Sequence, residues 1–486
     1  MTEVVPETLS QDLTPTGIDG LDELLRGGFQ RGSLVMVAGN PGTGKSVLAT
    51  KFLCTGIDAD EPGIYVSFSE DAATLIDNMT RHLGNDVGDC LRSEKFRFLN
   101  FDVMSQTGLD AILRTILNEV QKLGARRLVI DSYSAMAQAF DREEIRSVLH
   151  AVLGKLVRDI GCTTIVISEV PRGTTSFGVG VEEFVADGVI TLQFHESDGR
   201  VYREIEVLKM RGAKLDRTRC LFSLDEGFKV FMPIGIDQVK KQKVFNGIVD
   251  LPDRYSSGLV QLDDILGGGY QKGSIVLLEI EENVSTLEYN MFTLPCIGNF
   301  LMHDKSVIEI PSVGVGLGLS MALMMQAAPA DKVASLVKLC IPKEHLTTSL
   351  ESSHVLTFDG DDVPGSVERF TKMVAELTER FVQTSLYIEG VDTLFSSFGP
   401  ENVLKILNST INSSRTHGNL NLIILRPGIP APFLYDMLRS VSDVHLRLTK
   451  KLGVLLFYGL KPWTGMYSVQ QDHGRGYPWP TLVPLV

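Results

Sequence analysis

The chain has 486 residues, more than one ordinary hydrophobic core organises, so two or three domains are expected. Its hydrophobic share of 44% and charged share of 22% are those of a globular protein, and its formal net charge of −14 argues against broad binding to nucleic-acid phosphates. The acidic N-terminus has no apolar signal-peptide core, and the uncharged stretch 311–330 is broken by prolines and glycines. We therefore expect a cytoplasmic protein without a membrane span, for which nucleic acid is not the main ligand.

Short apolar runs alternate with helical patterns through the first half of the chain. Strands separated by helices predict an α/β fold, a mostly parallel sheet covered on both faces. Ligands of such sheets bind at the carboxyl ends of the strands, and we expect every polar residue singled out below to lie at that edge. The strands are predicted at 34–38, 64–68, 128–130, 164–167 and 202–208, and amphipathic helices over 112–120 and 145–157.

The loop 39–46 follows the first predicted strand and precedes a helix. It fits the pattern G-x-x-x-x-G-K-S, in which backbone N–H groups and a helix N-terminus surround phosphate oxygens. Lys45 is expected to reach the β- and γ-phosphates of ATP, and Ser46 to bind Mg²⁺. GTP stays open, because the loops that select the base are not identified. The predicted nucleotide-binding residues are Gly39, Asn40, Pro41, Gly42, Thr43, Gly44, Lys45 and Ser46.

Two carboxylates follow later strands. Asp131 ends an apolar run and is predicted to hold Mg²⁺ beside Ser46, usually through water. Glu70 follows the strand 64–68 and is predicted to accept a proton from the water that attacks the γ-phosphate, with Asp71 as the fallback. The alternative for Glu70 is a surface acid at the start of a helix.

Three further polar residues have two interpretations each. Ser168, in a polar pair with Glu169, either contacts the γ-phosphate or caps a helix or turn. Lys209 and Arg211 follow the strand 202–208 and, two residues apart, point the same way. They either stabilise phosphate charge in a neighbouring subunit's site or form a solvated basic edge, and their spacing alone does not decide.

The chain contains an internal repeat. Residues 16–34, TGIDGLDELLRGGFQRGSL, and residues 257–275, SGLVQLDDILGGGYQKGSI, are identical at roughly half of their positions. Their offset of 241 residues is about half the chain. This predicts two copies of one domain, 1–240 and 241–486, joined through a polar basic stretch at 240–243.

The second copy has lost the phosphate loop. The offset places residues 280–287 against it, where every glycine is gone. Thr286 and Leu287 stand in place of the lysine and the magnesium-binding serine. Glu281 and Glu282 would repel phosphate where the first copy attracts it.

Other positions align by the same repeat. Glu389 is matched with Asp131, and Lys461 with Lys209. The scaffold is therefore predicted to persist while the phosphate chemistry does not. We expect no triphosphate bound within residues 250–486 by the usual route.

Six segments occur in order along the first copy: TGIDGLDELLRGGFQRGSL, GNPGTGKS, GIYVSFSED, LVIDSYSAM, EFVADGV and LKMRG. Together they resemble the KaiC branch of the RecA-like ATPases. The resemblance covers about 16–235 strongly and, through the repeat, extends weakly to the rest of the chain. It implies two tandem RecA-like P-loop domains, each a mostly parallel twisted sheet flanked by helices, of which the second is degenerate.

The resemblance also implies an assembly and a mechanism. Family members form rings, commonly hexamers, with ATP between subunits, so that Lys209 and Arg211 would act in trans on the next subunit's nucleotide. The family's pair of catalytic glutamates matches Ser69 and Glu70 here, which implies slow or altered hydrolysis. Circadian-clock members carry autophosphorylated hydroxyls in the second domain, and without a nucleotide there we expect no autokinase activity.

The leading hypothesis is a regulatory ATPase that binds ATP and Mg²⁺ in its first domain and assembles as a ring. The second, pseudo-ATPase domain would serve assembly or bind a regulatory protein partner. One alternative is an accessory ATPase of DNA recombination or repair. Another is a regulator of gene expression similar to the archaeal gas-vesicle repressor, acting through a partner because no helix-turn-helix signature is present.

Overall fold

The computed structural model describes residues 13–101, 108–139, 159–170, 186–233, 245–343, 355–358, 384–428, 432–471 and 479–486, with positions 365, 368, 372 and 376. The chain divides into two compact units, one formed by Met1–Met232 with Pro484–Val486 and the other by Pro233–Val483. The predicted helix over 145–157 and the basic stretch 240–243 lie outside the described residues.

The first unit is built on one large sheet. The described elements are β1 (Leu13–Thr14), α1 (Leu21–Leu24), β2 (Phe29–Gln30), β3 (Leu34–Gly39), α2 (Lys45–Asp58), β4 (Gly63–Ser67), α3 (Ala72–Leu83), α4 (Asn85–Cys90), β5 (Phe96–Asn100), α5 (Leu109–Leu123), β6 (Arg127–Asp131), α6 (Tyr133–Ala139), β7 (Thr163–Glu169), β8 (Gly188–Ser197), β9 (Arg200–Met210), β10 (Arg219–Ser223) and β11 (Lys229–Phe231). The spatial order of its nine strands is β11-β10-β9-β8-β3-β7-β6-β4-β5, and β1 pairs separately with β2.

Parallel strands form the centre of this sheet. The strands from β8 through β3 to β5 run parallel, whereas β9, β10 and β11 extend the sheet antiparallel. All six residues of β3 are buried, as expected for a strand covered on both faces. The predicted α/β sheet, its five strands and the helix over 112–120 are confirmed.

Two apolar layers cover the faces of the first sheet. On one face, alternate strand residues such as Val35, Tyr65 and Val129 pack against Leu48 and Phe52 of α2. The opposite face, which includes Leu34, Val66 and Ile130, packs against apolar residues of α5. Because side chains alternate along a strand, the face on which a polar residue lies follows from its register.

The second unit repeats this plan. Its described elements are β12 (Arg254–Tyr255), α7 (Val260–Ile265), β13 (Tyr270–Gln271), β14 (Ile275–Ile280), α8 (Thr286–Met302), β15 (Ser306–Ile310), α9 (Leu317–Ala327), α10 (Ala330–Leu336), β16 (Val337–Pro342), β17 (Val355–Phe358), β18 (Ser385–Gly390), α11 (Val391–His417, kinked at Gly399), β19 (Leu420–Leu425), α12 (Pro432–Val441), β20 (Val444–Lys451), β21 (Val454–Lys461), β22 (Tyr467–Gln471) and β23 (Pro480–Pro484). Ten strands form its main sheet in the order β17-β16-β15-β18-β19-β14-β20-β21-β22-β23.

Helix α8 takes the place of α2 and is buried along almost its whole length, with Pro295 inside it. Within the uncharged stretch 311–330, α9 is the one complete helix, and its Met325 is 52% exposed. Among the residues that the structure describes, no helix has the length and apolarity needed to cross a membrane.

Each unit has an equivalent polar contact at the first residue of its central strand, β3 or β14. The carboxylate of Asp187 accepts a hydrogen bond from the N–H of Leu34 at 3.1 Å, and Asp443 accepts one from Ile275 at 2.9 Å. Asp187 directly precedes β8 and Asp443 directly precedes β20, and each also donates its own N–H to the first residue of the neighbouring strand, β3 or β14. The repeat seen in the sequence therefore extends to individual hydrogen bonds of the backbone.

Candidate nucleotide-binding site

The loop between β3 and α2 is a backbone cradle. Gly42 and Gly44 have φ angles of 81° and 98°, which lie in the left-handed region that glycine adopts without steric cost. A Cβ atom on Gly42 would meet nothing within 4 Å, so this part of the loop borders open space. The hydroxyl of Thr43 donates to the carbonyl of Asn40 at 2.8 Å, and the Asn40 amide donates to Val170 O at 2.8 Å. These bonds hold the loop in shape from both sides.

Lys45 lies across this loop at the first position of α2. Its ammonium group donates to the carbonyl oxygens of Gly39 and Asn40 at 3.0 and 2.9 Å. Burial lowers the pKa of Lys45, against the opposing effect of Glu169 and Asp131. A cation beside the N-terminus of a fourteen-residue helix makes this the most favourable position for phosphate in the loop.

Ser46 and Asp131 meet directly. The Ser46 hydroxyl donates to Asp131 Oδ2 at 2.8 Å, although the two residues are 85 positions apart. A third residue, Tyr65, donates its phenol hydrogen to the same oxygen at 2.5 Å. A hydroxyl and a carboxylate are the hard oxygen donors that suit Mg²⁺, so the residues present fit a magnesium nucleotide.

Glu70 lies at the surface just beyond β4. Its N–H donates to the Ser67 hydroxyl at 2.9 Å. Partial burial, Asp131 and Asp71 raise the pKa of Glu70, in that order of size. Asp71, the fallback base, accepts a hydrogen bond from the N–H of Thr74 at 2.9 Å and caps α3, and this bond lowers its pKa. A raised pKa suits a proton acceptor, whereas Asp71 already serves the helix.

The structure does not bring the Ser168 hydroxyl to the face that carries Asp131 and Ser46. Ser168 pairs with Ala38 and alternates with Ile167, so its fully buried side chain lies on the opposite face of the sheet. Its hydroxyl has no hydrogen-bond partner among the described residues. The following residue, Glu169, is the one that influences Lys45.

The prediction that every selected polar residue lies at the carboxyl edge is wrong for Lys209 and Arg211. Strand β9 runs antiparallel to β8, so its end lies beside the start of β3. Lys209 donates to Ala186 O at 2.7 Å, and Arg211 pairs with Asp187 at 3.0 Å. Because β3 has six residues and rises about 3.3 Å per residue, these contacts lie roughly 16 Å from the loop at its other end.

The geometry of the first unit agrees with the comparison to known families. The family model of the KaiC ATPases matches residues 14–234. This domain belongs to the KaiC-like ATPases. The KaiC-like domain thus contains the loop, the magnesium-type donors and the carboxylate Glu70 within one matched region.

Similar proteins include two circadian clock proteins and one solved structure. The circadian clock oscillator protein KaiC of Synechococcus elongatus is 33% identical over 273 residues, which are 54% of this chain and 51% of that protein. The circadian clock protein KaiC2 of Synechocystis sp. is 30% identical over 287 residues, 56% of this chain and 48% of that protein. The crystal structure of a KaiC-like protein from Pyrococcus horikoshii OT3 is 34% identical in sequence, with a TM-score of 0.40. The match covers 45% of this chain and 98% of that chain. The chain spans about half the length of the curated relatives it matches.

A second family model, described as GvpD basic region 2, matches residues 244–335, beyond the KaiC-like domain. In this chain the segment is acidic: it has eleven Asp and Glu residues against Arg254, Lys272, Lys305 and Lys332. The segment therefore matches this family model without having the basic charge that the name of the region describes.

The counterpart of the phosphate loop in the second unit is closed by its own side chains. Glu281 accepts a hydrogen bond from Thr449, and Asn283 donates to Lys450 O at 3.0 Å. The Glu288 carboxylate accepts from both the N–H and the hydroxyl of Ser285 at 2.8 and 2.7 Å, at the N-terminus of α8. An acid therefore occupies the helix end where the KaiC-like domain offers bare N–H groups.

The predicted match of Glu389 with Asp131 is wrong by one residue. Leu34 is level with Leu128 across β7, and its counterpart Ile275 is level with Tyr387 across β19. Counting three residues on from each leads to Asp131 in the first unit and Gly390 in the second.

Glu389 therefore points to the other face of the sheet. There its carboxylate accepts hydrogen bonds from Asn421 at 2.9 Å and Thr410 at 3.2 Å, and burial raises its pKa to about 7. A Cβ on Gly390 would lie 2.8 Å from the N of Ser312, so no side chain fits in the place of the magnesium-binding acid.

The match of Lys461 with Lys209 is confirmed. Lys461 pairs with His445 as Lys209 pairs with Val189, and a register shift follows each pair at the same place. The Lys461 ammonium group donates to Ser442 O at 2.5 Å, the counterpart of the contact made by Lys209. The lysine thus persists in the unit whose phosphate loop is lost.

Proposed function

We propose that the KaiC-like domain binds ATP with Mg²⁺ and hydrolyses it slowly as part of a regulatory device. The observation that carries the proposal is the joining of Lys45, Ser46 and Asp131 at the end of β3, with Ser46 hydrogen-bonded to Asp131 at 2.8 Å. Lys45 and the loop N–H groups would bind the phosphates. Bound Mg²⁺ would neutralise the charge that develops on the transferred phosphoryl group.

Hydrolysis in this proposal depends on Glu70 alone. The neighbouring position is Ser69, so a single carboxylate is available to orient and deprotonate water. Its raised pKa makes it a better proton acceptor but leaves less of it ionised at low pH. Slow turnover suits a protein that signals through its nucleotide state rather than through product formation.

We further propose that copies assemble head to tail, in a ring that is commonly hexameric among the resembled ATPases. Lys209 and Arg211 lie at the sheet edge opposite the loop and are too far from it to act within one chain. Arg211 is 58% exposed, and its pair with Asp187 would contribute about 1 kcal/mol or less, so releasing it toward a neighbour's phosphates costs little. A heterologous contact of this kind forms a ring when the rotation between successive copies closes on itself.

A mixing experiment tests the assembly in trans. Lys45→Ala copies keep Arg211 but should hold no nucleotide, and Arg211→Ala copies hold nucleotide but lack the cation. Each variant alone should be nearly inactive. In an equal mixture about a quarter of the junctions join an intact loop to an intact arginine, so that share of wild-type hydrolysis should return.

The controls separate assembly from chemistry. Arg114→Ala removes a cation whose side chain is 74% exposed in the same domain and should leave activity unchanged. Sedimentation velocity with and without ATP and Mg²⁺ should show a larger particle when both are present, because a ligand bound between copies favours their association. No recovery in a mixture that does co-assemble would exclude action in trans.

The second unit is proposed to be a pseudo-ATPase domain for assembly or partner binding. The acid at the start of α8 and the glycine in place of Asp131 both oppose a magnesium triphosphate. Autokinase activity is therefore not expected. A cavity of about 480 Å³ remains at this end of the sheet, lined by Glu282, Val313, Asp392, Phe395, Arg426, Pro427 and Gly428.

A second candidate is a regulator of gene expression acting through a protein partner, in the manner suggested for gas-vesicle control. The match of residues 244–335 to a GvpD region favours it. Because this segment is acidic, direct binding to DNA is disfavoured and a protein partner is preferred. Affinity purification from cells with and without the second unit would test it, and recovery of no transcription factor would count against it. The net charge also disfavours the DNA-recombination alternative, which DNA-stimulated hydrolysis would revive.

A further inference from the structure

Tyr65 is a buried polar residue of the KaiC-like domain that the sequence reasoning did not select. It lies in the middle of β4 with a relative exposure of 1%. Its ring stacks on Phe98 with the centroids 5.9 Å apart and an interplanar angle of 15°, which fixes the direction of the hydroxyl. That hydroxyl donates to Asp131 Oδ2.

The same carboxylate oxygen accepts two hydrogen bonds. Ser46 and Tyr65 both donate to Asp131 Oδ2, at 2.8 and 2.5 Å. A serine hydroxyl has one hydrogen, so donating it to Asp131 leaves only lone pairs of Ser46 for a metal. Two donors on Oδ2 likewise leave Oδ1 as the oxygen that is free of these two bonds and available to water around the metal.

We propose that Tyr65 is a positioning residue that holds Asp131 in the orientation required to bind Mg²⁺ with ATP. This inference rests on the proposed function, because it specifies how the same site binds its metal. Outer hydrogen bonds of this kind orient metal ligands and influence metal affinity.

The second unit gives an independent comparison. The counterpart of Tyr65 is Glu309, because Tyr65 pairs with Val129 as Glu309 pairs with Ile388, and the counterpart of Asp131 is Gly390. The tyrosine is therefore absent from the unit in which the carboxylate is absent. A tyrosine retained only for the packing of β4 would have no reason to change together with the acid.

The variant Tyr65→Phe tests the inference because it removes the hydroxyl and keeps the stacked ring. Binding of a fluorescent ATP analogue would be titrated with MgCl₂. The concentration of Mg²⁺ giving half-maximal binding should rise on the order of ten-fold to a hundred-fold. Binding of the analogue in EDTA should match wild type, since the loop and Lys45 are unchanged.

The matched control is Tyr255→Phe in the second unit. Tyr255 is also buried, and its hydroxyl donates to Gly418 O at 2.8 Å within the second unit. It should leave the magnesium dependence unchanged. A Tyr65→Phe protein with half-maximal Mg²⁺ within about two-fold of wild type would overturn the inference.

A double variant separates positioning from a general loss of stability. If Tyr65 acts through Asp131, adding Tyr65→Phe to Asp131→Asn should cause no further loss of magnesium affinity. Fully additive losses would mean that Tyr65 acts independently, and the inference would fail. Absence of nucleotide binding by the wild-type protein would instead refute the proposed function itself, so the two failures are distinguishable.

Discussion

Glu70 combines surface access with a perturbed carboxyl. The pKa of Glu70 is raised by partial burial and by the charges of Asp131 and Asp71. We predict that Glu70→Gln retains ATP binding and lowers the rate of hydrolysis by roughly 10² to 10⁴, the usual range for a lost general base. Single-turnover hydrolysis of radiolabelled ATP measures this.

The pH dependence of the hydrolysis rate follows from the raised pKa of Glu70. A base must be ionised, so the wild-type rate should rise with pH through the raised pKa of Glu70 and then level. The control Asp71→Asn removes only the charge of a helix cap and should change hydrolysis by no more than a few-fold. Hydrolysis that persists unchanged in Glu70→Gln would assign the base elsewhere.

Glu309 is a buried carboxyl in β15 of the second unit. Burial raises its pKa to about 7, and Oε2 has no hydrogen-bond partner among the described residues. Its folded pKa exceeds the unfolded value of 4.5, so the folded state is favoured most below pH 4.5 and loses stability as pH rises to about 7. Glu309→Gln should therefore stabilise the second unit at pH 8 by roughly 3 kcal/mol at most, and much less at pH 5.

Urea unfolding of the full chain at both pH values checks this prediction. The exposed Glu282→Gln in the same unit is the control and should shift neither value appreciably. An equal effect of Glu309→Gln at pH 5 and pH 8 would show that ionisation of Glu309 is not the cause.

At the scale of residues, the sequence located the site residues that are adjacent in the chain. It missed those whose role depends on which face of a strand the side chain occupies. Lys45 and Ser46 are set by a loop and the helix that follows it, so the motif located them. Ser168 was misplaced because one step along a strand reverses the face. Tyr65 could have been selected from the sequence, because it places a hydroxyl group within an apolar strand, two positions before Ser67 and therefore on the same face.

Among the elements, the hairpins β8–β9 and β20–β21 have the same irregularity and the same lysine contact in the two units. Each has the same register shift, and each carries a lysine that donates to a carbonyl before the first strand residue. Retention in the unit without phosphate chemistry indicates a structural task for the lysine. Lys209 therefore has such a task besides its proposed action in trans.

This division leads to a prediction for paired variants. Lys461→Met should lower the free energy of unfolding of the second unit by about 1 kcal/mol, the value of one hydrogen bond, and leave hydrolysis unchanged. Lys209→Met should destabilise the first unit similarly and also reduce hydrolysis in the assembled state. Equal rates of hydrolysis by the two variants would show that Lys209 takes no part in the nucleotide site of a neighbouring copy.

Element order and type followed from the alternation of apolar strands and helices, but the pairing between distant strands did not. The one-residue error at Glu389 arose because Glu389 and Asp131 are both acids that follow an apolar run. The hydrogen-bonded pairing of the strands instead makes Gly390 the counterpart of Asp131. Likewise, the antiparallel direction of β9 placed Lys209 and Arg211 at the far edge. Both outcomes depend on long-range hydrogen bonds that a repeat in sequence does not specify.

For the whole molecule, the two units differ in charge at equivalent places rather than in architecture. The first offers glycine N–H groups, Lys45 and an open loop, and the second places Glu281 and Glu288 at the same strand and helix ends. The repeat predicted this asymmetry from the sequence, because the loop residues are contiguous in both copies.

The central claim is that one chain binds one magnesium nucleotide, in its first unit. Isothermal titration with a nonhydrolysable ATP analogue and Mg²⁺ measures the number of sites per chain most directly. The expected result is one site for the wild type and none for Lys45→Ala. Two sites per chain, or a site that remains in Lys45→Ala, would contradict the assignment of nucleotide binding to the first unit alone.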